Sequence, residues 1–277
     1  MERLEHALDK ARQARRRRLT RGAAPGGGPG PRPGADPQAP SGWEGLTEIT
    51  ISPRQAARHR LGALQGAATA APYDILRARV LRQMREAGWR RLVITSPNKG
   101  CGKSTISANL ALSLARQPAM RVILVDFDLR RPMLAQMFGA QAQAGNIGDL
   151  LQGRSDFATH ALRYGPNLAL GLNRAPVPHS AEILHSHETG EFLNRLEATW
   201  KPDLILFDTP PMLGNDDTLG FLQFADSALL VAAAGQSTLA QIDSCERELS
   251  NMTSVVGTVL NKCRYLDDAD GYGYGYY

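Results

Sequence analysis

The 277-residue sequence predicts an α/β domain with a mostly parallel central sheet and helices on both faces. Two patterns predict it. Short apolar runs of strand length, at residues 92–95, 122–125, 167–172, 204–207, 227–231 and 254–260, alternate with stretches of helical period. The first of these runs then opens into a glycine turn and a helix, Ser96-Pro97-Asn98-Lys99-Gly100-Cys101-Gly102-Lys103-Ser104-Thr105, with Ile106, Leu110, Leu112 and Leu114 on one helical period. Strand, glycine loop, Gly-Lys-Ser and helix is the arrangement of a phosphate-binding P-loop. Glycines let backbone N–H groups wrap a phosphate, and the helix N-terminus adds partial positive charge. Lys103 is placed to reach the β- and γ-phosphates, and the Ser104 hydroxyl to enter a magnesium shell. Pro97 stands where the full pattern has its first glycine.

Residues 1–45 read as a basic, Pro/Gly-rich disordered region, with a short basic helix before Thr20 that ends on Arg15 to Arg18. This stretch carries nine Lys or Arg against five acids, which is four of the chain's five net positive charges. The folded part is therefore not built as a nucleic-acid surface, and no nucleic-acid partner is expected. The arginine run reads as a solubilising tail or as a weak contact for anionic lipid or an acidic partner.

Residues 46–71 read as a short helical linker. A helix over 73–87 follows, with Leu76, Val80, Leu81 and Met84 on one side and arginines largely on the other, ended by Gly88. The P-loop domain is expected over residues 72–264. In open α/β sheets ligands bind beyond the carboxyl ends of the strands. Asp126 and Asp128 end the run at 122–125, and Asp208 ends the run at 204–207, about a hundred residues after the loop. Carboxylates there are placed to meet magnesium and phosphates. A polar connection is expected over 176–188; its His179, His185 and His187 lack a Cys or carboxylate cluster and read as loop residues rather than metal ligands.

Three cysteines without paired spacing point to a reducing compartment, and Glu2, Glu5 and Asp9 occupy the place of a signal peptide's apolar core. No apolar run approaches 18 residues. The chain reads as cytoplasmic. Residues 265–277 form an expected flexible tail in which Tyr272, Tyr274, Tyr276 and Tyr277 are four of the seven tyrosines. Alternating glycines deny that segment a stable helix or strand. Beside an ATP site, such a tail reads as a substrate.

From about Tyr73 to the C-terminus the chain resembles the bacterial tyrosine kinases (BY-kinases), regulators of capsule and exopolysaccharide export. The resemblance rests on Gly100-Cys101-Gly102-Lys103-Ser104-Thr105 (Walker A), Val125-Asp126-Phe127-Asp128-Leu129-Arg130-Arg131-Pro132 (Walker A′) and Phe207-Asp208-Thr209-Pro210-Pro211 (Walker B). Phe138, Asn146-Ile147-Gly148-Asp149-Leu150-Leu151, Asp217, Val259-Leu260-Asn261 and the tyrosine tail complete it. It implies ATP and Mg2+, with Lys103 on the phosphates, Ser104, Asp128 and Asp208 around the metal, and Asn261 near the adenine. Gly100, Cys101, Gly102 and Thr105 complete the nucleotide loop, and Asp126 orients or deprotonates the attacking tyrosine. It implies autophosphorylation of Tyr272, Tyr274, Tyr276 and Tyr277, a separate membrane activator or polysaccharide co-polymerase, a cognate tyrosine phosphatase and ring self-association. It further implies a stand-alone protein recruited to the inner face of the membrane. The family's assembly motif is matched at Asp74 and Arg77, with Val80 at its last arginine. The alternative is a MinD/ParA-like ATPase switch or scaffold, in which four terminal phenols have no evident use.

Overall fold

Alternation of apolar side chains along each strand supplies two buried faces, and the helices divide between them. The computed structural model describes residues 42–140 and 146–263, all within one compact unit. The N-terminal region before residue 42 and the tyrosine tail lie outside the described residues.

The chain order is β1 (Thr47–Glu48), α1 (Pro53–Arg58), α2 (Ala67–Ala87), β2 (Arg91–Thr95), α3 (Lys103–Ala115), β3 (Val122–Asp126), α4 (Leu134–Phe138), α5 (Ile147–Leu151) and α6 (Phe157–His160). It continues through β4 (Leu162–Tyr164), β5 (Leu168–Gly171), α7 (Ser180–His185), α8 (His187–Trp200), β6 (Leu204–Asp208), α9 (Asp217–Phe221), β7 (Ser227–Ala233), α10 (Leu239–Met252) and β8 (Ser254–Asn261). The sheet runs β1-β4-β5-β3-β6-β2-β7-β8, and all neighbours are parallel except the β4–β5 pair. Leu92, Ile94, Val122, Leu124, Leu204 and Leu206 face the layer containing α2 and α3. Their alternates Val93, Ile123, Val125, Ile205 and Phe207 face the other layer. Phe127, Phe207 and Phe221 pack there with ring centroids 4.8–5.1 Å apart.

The order β3-β6-β2 places three strand ends side by side. Asp126 is in register with Asp208, and Asp208 with Ile94, just before the P-loop. The site is thus fixed by strand order before any side chain is considered.

Three local outcomes differ from the sequence pattern. The arginine-rich helix starts at Ala67 rather than residue 73, passing through Pro72, which lies in its second turn. Residues 176–188 are not a simple connection, because α7 forms within them and buries Ser180, Ile183 and Leu184, and α8 begins at His187. Ahead of α1, Trp43 and Leu46 are buried and β1 pairs with β4. The Trp43 indole stands edge-on to Trp200 and donates to its carbonyl at 3.0 Å. No helix among the described residues is long and apolar enough to cross a membrane.

Candidate active site

The loop between β2 and α3 is held by its neighbours as well as by its own Ser96, whose Oγ donates to Asn98 O at 2.8 Å. Met212 N donates to Ser96 O at 2.8 Å and Leu213 N to Pro97 O at 3.0 Å. Thr95 Oγ1 donates to Pro210 O at 2.8 Å. The loop following β6 therefore braces the loop following β2. Pro97 sits in this braced stretch without a positive φ, which explains why glycine is not needed there. Gly100 and Gly102 do adopt the left-handed region, at φ 83° and 93°. Gly102 also caps α3, and a Cβ there would strike the Asn261 side-chain amide. That amide donates to Cys101 O at 2.9 Å, so the end of β8 closes one side of the loop.

Lys103 opens α3 and is 9% exposed. Its Nζ lies 2.6 Å from Asp128 Oδ2 and 3.9 Å from Asp208 Oδ2. Burial pulls the ammonium pKa down, but the Asp208 and Asp128 carboxylates more than offset this, and it titrates above the usual lysine range. Lys103 thus stays charged.

Asp126 and Asp208 are fully buried at the ends of adjacent strands. Burial, then the charge of Asp208, pushes Asp126 well above the ordinary carboxylate range, against the Leu134 N–H and Lys103. Burial also raises Asp208, opposed by Lys103 and by hydrogen bonds from Ser104 and Ser107. Two like charges in a dry pocket resist ionising together.

The sequence-predicted residues Lys103, Ser104, Asp126, Asp128 and Asp208 are thus gathered around one strand-end cleft, with Gly100, Cys101 and Gly102 as its loop and Asn261 beside it. Thr105 follows in α3, and its carbonyl accepts from Asn109 Nδ2 at 2.8 Å. Cys101 turns its side chain inward, 2% exposed, with Sγ 3.5 Å from Ser237 Oγ. The tyrosines Tyr272, Tyr274, Tyr276 and Tyr277 lie outside the described residues.

Sequence reasoning missed two supports, Ser107 and Asn173. Ser107 Oγ donates to Asp208 Oδ1 at 3.1 Å; its position one turn after Lys103 on the same helix face was the available signal. Asn173 Nδ2 donates to the Asp126 carbonyl at 3.2 Å while its Oδ1 accepts from Ile147 N at 2.8 Å. Asp217, which the family resemblance had marked without a role, is buried and accepts from Arg130 Nε at 2.7 Å and from Ser180 Oγ, tying the loop after β3 to α7 and α9.

These residues fit a magnesium nucleotide. Asp126 Oδ1 and Asp208 Oδ2 are buried with no hydrogen-bond partner among the described residues, and a buried carboxylate oxygen ordinarily has one. The positive-φ glycines leave the loop backbone unobstructed, and Lys103 supplies fixed charge. Among the described residues no three His, Cys, Asp or Glu side chains form a metal cage. That suits an ion bound by one or two carboxylates and completed by phosphates and water.

The ParA family, described as NUBPL iron-transfer P-loop NTPase, matches residues 89–269. The chain is 35% identical over 207 residues to the putative tyrosine-protein kinase EpsB of Ralstonia nicotianae, covering 73% of this chain and 26% of EpsB. It thus spans about a quarter of that relative's length. It is 32% identical over 202 residues to the tyrosine-protein kinase YwqD of Bacillus subtilis, covering 72% of this chain and 80% of YwqD. Among solved structures, the VpsO kinase domain superposes with a TM-score of 0.62 at 27% identity, covering 71% of this chain and 95% of that one. The cell-division ATPase MinD of Pyrococcus furiosus shares the fold at a TM-score of 0.55 and 25% identity, over 64% of this chain and 74% of that one. The chain belongs to the bacterial tyrosine-protein kinases, built on the ParA-type P-loop NTPase domain.

Proposed function

We propose that the chain is an ATP-dependent protein-tyrosine autokinase that phosphorylates its own C-terminal tyrosines and so regulates exopolysaccharide or capsule polymerisation and export. The observation that supports it best is the in-register pairing of Asp126 and Asp208 beside Lys103, in a chain whose sequence ends on four tyrosines. Bound magnesium-ATP supplies the γ-phosphoryl group, which leaves the β-phosphate oxygen as its bond to the tyrosine oxygen forms, giving ADP and phosphotyrosine.

The chain's own residues position and neutralise. Lys103 holds positive charge against the phosphates, and the Gly100–Gly102 backbone wraps them. Ser104, Asp128 and Asp208 would hold the magnesium, which would offset the phosphates' charge, and Ser107 keeps Asp208 in aim. Asn261 borders the adenine. Asp126, with a raised pKa and a free Oδ1, orients the phenol and takes its proton. The reading includes a separate membrane activator, recruitment to the inner face of the membrane, self-association in a ring and a cognate phosphatase.

Asp74 and Arg77, where the assembly motif was matched, bind within the chain. Arg77 Nη1 reaches Asp74 at 3.1 Å and Ser113 O at 2.8 Å, and Asp74 also pairs with Arg116. Ring contacts on this face would therefore add to, or displace, bonds already made to α3.

The test is the intact mass of the full-length protein after incubation with ATP-Mg and its activator. The reading expects one to four added phosphates in the wild type and none in Lys103→Met. Hydrolysis of ATP without any added phosphate would favour an ATPase switch.

A further inference from the structure

Beside the catalytic loop lies a cavity of about 630 Å³ whose lining includes Arg130, Arg131, Pro176, Pro178, His179 and Glu182. Arg131 N donates to Asp128 Oδ1 at 3.1 Å, and Val177 N donates to Leu129 O at 2.8 Å. The cavity is therefore anchored to the segment that carries Asp126 and Asp128.

Its charges are unevenly committed. Arg130 pairs with buried Asp217 at 2.7 Å. His179 Nδ1 stands 3.8 Å from Glu182 Oε1, both side chains largely exposed. Arg131 is exposed, and its guanidinium has no hydrogen bond or ion pair among the described residues. Asp217 offsets Arg130, which leaves Arg131 as the guanidinium of the lining not already paired among the described residues.

The sequence beyond Cys263 reads Arg264-Tyr265-Leu266-Asp267-Asp268-Ala269-Asp270, then Gly271 and the tyrosines. Three acids fall within four residues, and no Lys or Arg follows them. We propose that the Arg131 cavity docks the acidic run Asp267, Asp268 and Asp270 of this chain's tail and thereby presents the tyrosines to Asp126. Charge complementarity supports this occupant, and so does length. Along an extended chain Arg131 lies at most about 17 Å from Asp126, while Asp270 lies about 7 Å and Asp267 about 17 Å from Tyr272. An acid held at Arg131 therefore leaves the following tyrosines within reach of the catalytic carboxylate. Pro176 and Pro178 give the same cavity a stiff wall for the glycine-tyrosine stretch.

The inference rests on the autokinase reading but is testable without catalysis. A labelled peptide of residues 264–277 is titrated into the full-length protein and followed by fluorescence anisotropy. The expected results are saturable binding, about five- to tenfold weaker for Arg131→Glu or for a peptide carrying Asp267→Asn, Asp268→Asn and Asp270→Asn. That is the scale of several partly screened charge pairs. A peptide with the three acids changed to Lys should bind Arg131→Glu better than wild type. The far-UV circular dichroism and melting temperature of Arg131→Glu, measured alongside, should match wild type, and this shows that the fold is kept. Absent binding, or equal binding of acidic and neutralised peptides, would overturn the docking proposal. Binding as expected with no phosphate ever transferred would instead count against the kinase reading while leaving the docking proposal in place.

Discussion

Two neighbouring regions, the strand-end cleft (the phosphate wall) and the Arg131 cavity beside it (the proposed acceptor wall), are built differently. On the phosphate wall, Lys103, Asp126, Asp128 and Asp208 are almost wholly buried, paired or in register, and braced by Ser107, Asn173 and the loop after β6. On the acceptor wall, Arg131 and His179 are exposed, and only Arg130 is tied down, through Asp217. Buried charge is effective because it is fixed and desolvated, so its loss is felt as a large change in chemistry or binding. Exposed charge is screened and adjustable, and its loss changes how well a partner is held. The phosphate wall is therefore expected to set whether transfer occurs, and the acceptor wall what is presented to it.

Four substitutions sharpen that contrast. Asp126→Asn should lower tyrosine phosphorylation by about two to four orders of magnitude while ATP binding persists, the scale of a lost general base. It should also stabilise the fold. The Asp126 carboxyl titrates above its ordinary 3.8 because it is buried near Asp208. The stability linked to it is complete below about pH 4 and is lost as pH rises through the raised folded value. Removing the group should therefore raise Tm more at pH 8 than at pH 4, read by a melting series across pH. The same titration predicts that wild-type transfer rises with pH as Asp126 ionises.

Lys103→Met removes the only cation paired with Asp128 and Asp208 among the described residues. ATP-Mg affinity should fall about a hundredfold by calorimetric titration, since charge-assisted contacts to phosphate are lost. Stability should fall by about 3 kcal/mol, because a buried carboxylate loses its partner. Unchanged affinity would break the distinction between the two walls.

Gly102→Ala tests the backbone of the same wall. A side chain there meets both a φ of 93° and the Asn261 amide. A loss of about 2 kcal/mol in thermal stability is expected, with weaker nucleotide binding. On the acceptor wall, Arg131→Gln should raise the KM for a tail peptide by about fivefold with little change in kcat. An equal fall in kcat would move Arg131 into the chemistry.

The phosphate wall was largely legible in the sequence, because it is built from local pattern. Apolar runs gave β2, β3 and β6, and Gly-Lys-Ser and strand-end aspartates marked where they point. The supports were harder to read. Ser107 and Asn173 act through contacts between segments far apart in the chain, and single polar residues carry little periodic signal; Asp217 was marked by the family resemblance, but not its contacts. Trp43 was hidden for the same reason, since its partner Trp200 lies 157 residues away. Residues 180–185 read as polar because only two of their three buried residues, Ile183 and Leu184, are apolar. Pro97 departed from the loop pattern, and the structure explains it by a φ that needs no glycine.

The central claim is that this cleft phosphorylates the chain's own tail. The direct measurement is site-resolved phosphopeptide mapping of the full-length protein after incubation with ATP-Mg and its membrane activator, with Asp126→Asn alongside. The account predicts phosphate on Tyr272, Tyr274, Tyr276 and Tyr277 in the wild type and almost none in the variant. An activated wild type that hydrolyses ATP and leaves all four tyrosines unmodified would contradict it.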